Sequence, residues 1–327
     1  MKKIIKGVLI LLLIIVLIVI AVIISLGKMA KEKNEKYFEY MNPVGSIETE
    51  YTPMGSSEVS SIEFKSDNTQ IGRFVIYYPT ELESDTREYP VVLWANGTGS
   101  KSDIYTSFLK HLSSWGFIVV SNDDEDARTG ESLNAGIDML IKENENSDSV
   151  LYQKIDLNNI GIGGHSQGGP AVFNMATVQP HADMIKTVYA VSATSSYHTK
   201  VFGDGWEYDI SKVTVPTLLT AGTQTFDAGT ATSADQESDE KAGIMQGICP
   251  LWSLEENFRL LPDVDKVYVR KTNVDHGDSH LQFDAYMTAW FRYYLMNDEE
   301  ACNAFFGDNP ELLTNDHYQD FRSHKAE

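Results

Sequence analysis

Cysteine is scarce: the 327 residues hold two, Cys249 and Cys302. Neither stands at a metal-ligand spacing, so a metal-stapled or disulfide-dense fold is excluded. Two buried thiols are expected, with one bridge in an oxidising compartment as the alternative. Positive charge is scarce as well. Lys and Arg number 26 against 47 Asp and Glu, a formal net charge of −21. That balance excludes a nucleic-acid partner and argues against anionic substrates. No cofactor or metal motif and no internal repeat is present, so neither is expected to serve the chemistry.

Long apolar runs are also missing, with one exception. Met1-Lys2-Lys3-Ile4-Ile5-Lys6 leads into Val8–Ile24, which is apolar throughout. A bilayer-crossing helix needs about 20 such residues, and a signal-peptide core only about 7–15. Residues 1–27 are therefore expected as an uncleaved signal anchor, giving a single-pass protein of the cell membrane with its folded part outside. Cleavage would make it a secreted protein. Residues 28–58, polar and mixed, read as a stalk. Residues 59–327 read as one folded domain. From residue 37 onward, 19 basic residues stand against 45 acidic ones.

Within that domain, strand and helix signals alternate. Ile62–Phe64 and Gly72–Pro79 read as paired edge strands. Pro90–Ala95, Gly116–Ser121, Ile155–Ile162, Lys186–Val191, Val215–Ala221 and Lys266–Arg270 are short apolar runs, as expected for strands buried on both faces. Between them, Ile104–Trp115, Ser132–Lys142 and Pro170–Ala176 have helical spacing, and Ala285–Leu295 follows as an aromatic helix. This alternation predicts an α/β fold: a mostly parallel, doubly wound sheet with helices on both faces.

The most informative stretch joins the third of those buried strands to its helix. Gly164-His165-Ser166-Gln167-Gly168 fits Gly-x-Ser-x-Gly, a nucleophile elbow. There a serine sits on a sharp turn with its oxygen exposed, and the glycines let strand and helix approach. A serine hydroxyl needs a base, and the base needs a carboxylate to orient it. In the α/β-hydrolase fold these follow in the order serine, acid, histidine, at the carboxyl ends of strands. Asp227 is the only carboxylate in the loop after the strand ending at Ala221. Asp235, Glu237, Asp239 and Glu240 lie in a polar insertion, residues 229–248, that reads as a flap or a surface loop. His276 follows the last strand, with His280 as the alternative base. His165 reads as a packing residue. Oxyanion donors are expected from the backbone N–H groups of Gln167 and Gly97, the latter in the loop Asn96-Gly97-Thr98-Gly99.

Trp94-Ala95-Asn96-Gly97-Thr98-Gly99, Trp115-Gly116-Phe117-Ile118-Val119-Val120, Leu133-Asn134-Ala135-Gly136, the elbow, Val215-Pro216-Thr217-Leu218 and Ala289-Trp290-Phe291 occur in a telling order. Over residues 60–310 that order resembles the bacterial cutinases and polyester hydrolases, near the dienelactone-hydrolase and chlorophyllase-like branches of the α/β-hydrolases. The resemblance implies hydrolysis of a small or lipid-like carboxylic ester through an acyl-enzyme, with Ser166, Asp227 and His276 as triad. It also exposes departures. An aromatic residue often stands in the family where this chain has Gly97, and a Met where it has Gln167. A Trp is expected where Ser192–Tyr197 lie, and a cysteine where Phe305–Gly307 lie. A more polar pocket, suited to small or hydroxylated acyl groups, is the expectation. Transfer of the acyl group to an envelope alcohol, and a non-catalytic anchored binding protein on the same fold, are the competing readings.

Overall fold

A computed structural model of the protein describes residues 35–326. The expected anchor, residues 1–27, lies outside the described residues; among those described, no helix is long and apolar enough to cross a membrane. The chain divides into two compact units, Met1–Met41 and Asn42–Glu327. The described part of the first holds a single 3-10 turn, Tyr37–Tyr40.

In the second unit nine strands form one sheet among the described residues: β1 (Val59–Lys65), β2 (Arg73–Pro79), β3 (Tyr89–Ala95), β4 (Ile118–Asn122), β5 (Ile155–His165), β6 (Ile185–Val191), β7 (Thr217–Gly222), β8 (Lys266–Lys271) and β9 (Tyr318–His324). Their spatial order is β1-β2-β4-β3-β5-β6-β7-β8-β9. β3 to β8 are parallel, while the pairs β1–β2, β2–β4 and β8–β9 toward the two ends are antiparallel. The buried apolar runs thus become the parallel centre, because a strand covered on both faces needs no polar alternation.

Among the described residues ten α-helices connect or flank the strands: α1 (Ser46–Tyr51), α2 (Ser102–Ser114), α3 (Glu131–Glu145), α4 (Gly168–Met175), α5 (Ser196–Phe202), α6 (Thr225–Ala228), α7 (Leu251–Leu260), α8 (Ser279–Gln282), α9 (Asp284–Met296) and α10 (Glu311–Thr314). Neighbouring residues of β3 show how both faces are covered. Leu93 lies against α3 at Gly136, and Trp94 packs on Phe108 of α2, ring centres 4.6 Å apart. Successive strand residues point to opposite faces, so one strand anchors both helical layers. α9 lies on the Trp94 side: its Trp290 is fully buried and donates from Nε1 to Thr187 Oγ1 at 2.7 Å.

Three sequence expectations need correction. Lys266–Arg270 is not the last strand. Tyr318–His324 adds β9, whose polar alternation hid it; charged side chains on an edge strand discourage further pairing. The stalk does not reach residue 58. From Asn42 the chain belongs to the compact unit, and α1 packs on α9. Its Glu48 is buried and accepts from Lys271 Nζ (3.1 Å), Tyr318 Oη (2.7 Å) and Asn315 Nδ2 (2.8 Å). The polar look of this segment comes from groups that bond inward. Both cysteines are free thiols, Cys249 buried but Cys302 only partly so.

Segment 229–248 folds on itself. Bridges pair Gly229 with Gln246 and Asp239 with Ile244, and the Gln246 amide donates to the Ser233 and Gln236 carbonyls. Ile248 then fastens its end, donating to the Phe226 carbonyl and accepting from Ser195 N–H.

Candidate active site

The sheet order reverses at β3. From there the chain steps to β4 on one side and to β5 on the other, so the loops after β3 and β5 part and leave a crevice. The elbow after β5 occupies it. Ser166 has φ +60°, a left-handed conformation rare for a residue with a side chain. Its glycines are sterically required. A Cβ on Gly164 would come within 2.2 Å of the Gly168 carbonyl oxygen, and one on Gly168 within 2.3 Å of the Ala95 oxygen.

The structure brings Ser166, His276 and Asp227 into one hydrogen-bonded line. Ser166 Oγ lies 2.9 Å from His276 Nε2, and His276 Nδ1 lies 3.0 Å from Asp227 Oδ1. Asp227 is fully buried on α6, just past β7. Its second oxygen accepts from Gly222 N–H at 2.5 Å and Ser192 Oγ at 2.7 Å. Ser192 Oγ is also 2.8 Å from Ser279 Oγ, whose own hydroxyl donates to the His276 carbonyl at 3.0 Å. A hydroxyl carries one proton, and a carboxylate is the stronger acceptor, so Ser192 donates to Asp227. Asp275 binds acid and base segments together: its Oδ1 accepts from the N–H groups of Asp227 and His276, each at 2.9 Å. Nothing in the sequence marks Ser192 or Asp275. Only the meeting of three strand ends does.

His280 is not beside Ser166. It is buried beneath the site, its ring 5.2 Å from those of Tyr105 and His165. Burial, and then the neighbouring His276, push its pKa down to about 3, so it is neutral at physiological pH. His165 is likewise held well below the ordinary histidine range by burial and by the two other imidazoles. Asp235, Glu237, Asp239 and Glu240 belong to the self-bonded loop, away from this line. Two aromatic groups border the site. Phe226, 57% exposed, meets the His276 ring edge-on at 5.3 Å. His198 on α5 binds Ser195 Oγ through Nδ1 at 3.1 Å; burial and nearby His276 lower its pKa.

The expected oxyanion donors fare differently. The Gln167 side chain is turned away, donating to the Glu125 carbonyl at 2.7 Å, and its backbone N–H has no acceptor among the described residues. The Gly97 N–H is already used. It donates to the buried Tyr105 hydroxyl at 2.8 Å and cannot also serve an oxyanion, which corrects that assignment. The next N–H of the turn, that of Thr98, has no acceptor among the described residues.

No cluster of His, Cys, Asp or Glu among the described residues could hold a metal ion. A strained serine at a sheet's switch point, bonded to an imidazole that a buried carboxylate orients, on an α/β-hydrolase scaffold, defines a serine hydrolase of carboxylic esters. The chain belongs to the chlorophyllase family, whose model matches residues 51–228, more than half of its length. It is also similar to cutinase est1 of Thermobifida alba, 24% identical over 270 residues, which is 79% of this chain and 76% of that protein. Cutinase 2 of Thermobifida cellulosilytica is 23% identical over 79% of this chain and 86% of its own. Lipase 1 of Moraxella sp. strain TA144 is 32% identical over a shorter stretch, 34% of this chain and 30% of its own.

Proposed function

We propose that this serine ester hydrolase works through a Ser166–His276–Asp227 triad, with the Gln167 and Thr98 N–H groups as its oxyanion hole. The observation that carries the reading is the unbroken line of hydrogen bonds from Ser166 Oγ to Asp227, 2.9 and 3.0 Å long. Ser166 attacks the ester carbonyl as His276 Nε2 takes its proton. Asp227 holds the imidazole with Nδ1–H toward it and stabilises the imidazolium that forms. The carbonyl oxygen, now an oxyanion, is met by the two free backbone N–H groups. When the tetrahedral intermediate collapses, His276 protonates the leaving alcohol. Water then releases the acid by the same steps.

The substrate class is a neutral ester, small or lipid-like. The acidic surface repels anions, and exposed Phe226 offers an apolar wall beside His276. The relatives named cutinase and lipase support an ester of fatty or polymeric character. We further propose that residues 1–27 anchor the enzyme in the cell membrane with its catalytic unit outside, a reading that rests on the apolar run Val8–Ile24.

The test is labelling with a fluorophosphonate, together with hydrolysis of p-nitrophenyl esters of increasing chain length. Ser166→Ala should lose labelling altogether and turnover by about 10⁴-fold or more. Turnover near that of wild type in this variant sinks the assignment.

A further inference from the structure

The Tyr105 hydroxyl is buried in an unusual place. It accepts from Gly97 N–H at 2.8 Å and lies 3.1 Å from His165 Nδ1. His165 Nε2 in turn lies 2.9 Å from the His276 carbonyl oxygen. A carbonyl only accepts, so Nε2 carries the proton. Nδ1 of the neutral ring is then the acceptor, and the Tyr105 O–H donates to it. Every proton direction is fixed: Gly97 N–H to Tyr105, Tyr105 O–H to His165, His165 N–H to His276. The chain crosses three segments that share no sequence neighbourhood: the loop after β3, the elbow and the loop after β8. It also acts at close quarters, since a Cβ on Gly97 would sit 3.4 Å from Ser166 Cβ and 3.2 Å from His165 Nδ1.

We propose that Tyr105 and His165 are positioning residues that hold the turn at Gly97 in register with Ser166, and so aim the Thr98 N–H at the oxyanion. The proposal rests on the reading of Ser166 as nucleophile and of the loop at 96–99 as the oxyanion loop. By taking the Gly97 N–H inward, Tyr105 fixes the peptide plane before Gly97; the next N–H is then left to face the crevice. Without the hydroxyl, that plane can rotate, and Gly97 N–H is left without a buried acceptor. The consequence belongs to the transition state, because the ester carbonyl oxygen needs the donor only once it carries charge.

The experiment compares wild type with Tyr105→Phe in the full-length chain. It reads kcat and KM on a p-nitrophenyl ester, and Ki for a trifluoromethyl ketone. That ketone adds to the serine oxygen as the serine proton passes to the histidine, leaving an oxyanion where the ester would form one. Tyr105→Phe should lower kcat about 10-fold or more with KM within about twofold, and raise Ki in proportion, since an aimed donor is worth about 10²–10³ in rate. Fluorophosphonate labelling of Ser166 should still go to completion. Kinetics and Ki within twofold of wild type in a folded variant overturn the proposal, as does a rise in KM alone. If Tyr105→Phe fails to fold, His165→Leu breaks the same chain from its other end and is read in the same way. Failure of the underlying reading looks different: Ser166→Ala would then keep its turnover, whatever Tyr105→Phe does.

Discussion

Ser192 stands at the carboxyl end of β6 with φ +49°, fully buried, its hydroxyl turned to Asp227. A serine is held in that conformation only where the surroundings demand it. Its N–H donates to the Thr220 carbonyl at 2.7 Å, which fixes the turn, and the side chain then faces the acid. Hydrogen bonds to a charged group are worth about 1.5–3 kcal/mol. Ser192→Ala should therefore lower kcat about 10-fold or more at unchanged KM, with stopped-flow acylation rates as the check. Single residues divide sharply by how far they can be read in advance. Ser166, Asp227 and His276 each follow an apolar run, in the chain order their chemistry needs, so pattern was enough to nominate them. The Gly97 N–H could not be aimed from sequence, because its direction is set by a hydroxyl eight residues downstream that nothing marks as a partner.

Among elements, the central strands and their long helices were legible because burial on both faces leaves continuous apolar runs. α1 and β9 were not. Both are largely polar in sequence: α1 buries Glu48 beside Ile47 and Tyr51, and β9 is an edge strand of which only Tyr318 is buried. Glu48 on α1 shows the energetic stake. Burial alone would raise its pKa, but Lys271 and the hydrogen bonds from Tyr318 and Asn315 outweigh it and hold the carboxylate low. Removing one partner of such a buried pair costs about 3–5 kcal/mol, since the other charge is left uncompensated. Glu48→Ala should lower the thermal midpoint by several degrees or more in calorimetry, while Ser166 remains labelled in the folded fraction. An unchanged midpoint would mean that α1 is not docked.

For the whole molecule, acid is the expected weakness. His165 and His280 are buried and neutral, with pKa values depressed below the ordinary 6.5. On unfolding below that pH each takes up a proton. Their contribution is complete above about pH 6.5 and lost as pH falls toward the folded values, at about 1.4 kcal/mol per pH unit for each group. His111 does not offset this loss. Beside Asp284 its pKa is raised, so below pH 6.5 it is protonated in folded and unfolded chains alike. Urea unfolding midpoints should fall steeply from pH 6.5 to 5, with His198, whose pKa burial also lowers, adding to the fall, and His280→Leu should make the slope clearly shallower. The charge of −21 gives a second expectation at this scale. Raising salt from about 20 to 500 mM should lower KM for acyl groups carrying a carboxylate and leave neutral esters nearly unchanged.

The Glu48 cluster also sets a timetable. Glu48 emerges from the ribosome 223 residues ahead of Lys271 and 270 ahead of Tyr318. Glu311, whose carboxylate accepts from the Ile47 and Glu48 N–H groups at the start of α1, arrives almost as late. α1 therefore lacks the surface it packs on until α9 has been made, and a nascent chain stalled short of α9 holds an acidic helix with nowhere to go. A product cut short before Glu311 keeps every group of the catalytic line, yet loses the Glu311 carboxylate, the Asn315 amide and the Tyr318 hydroxyl that fasten α1.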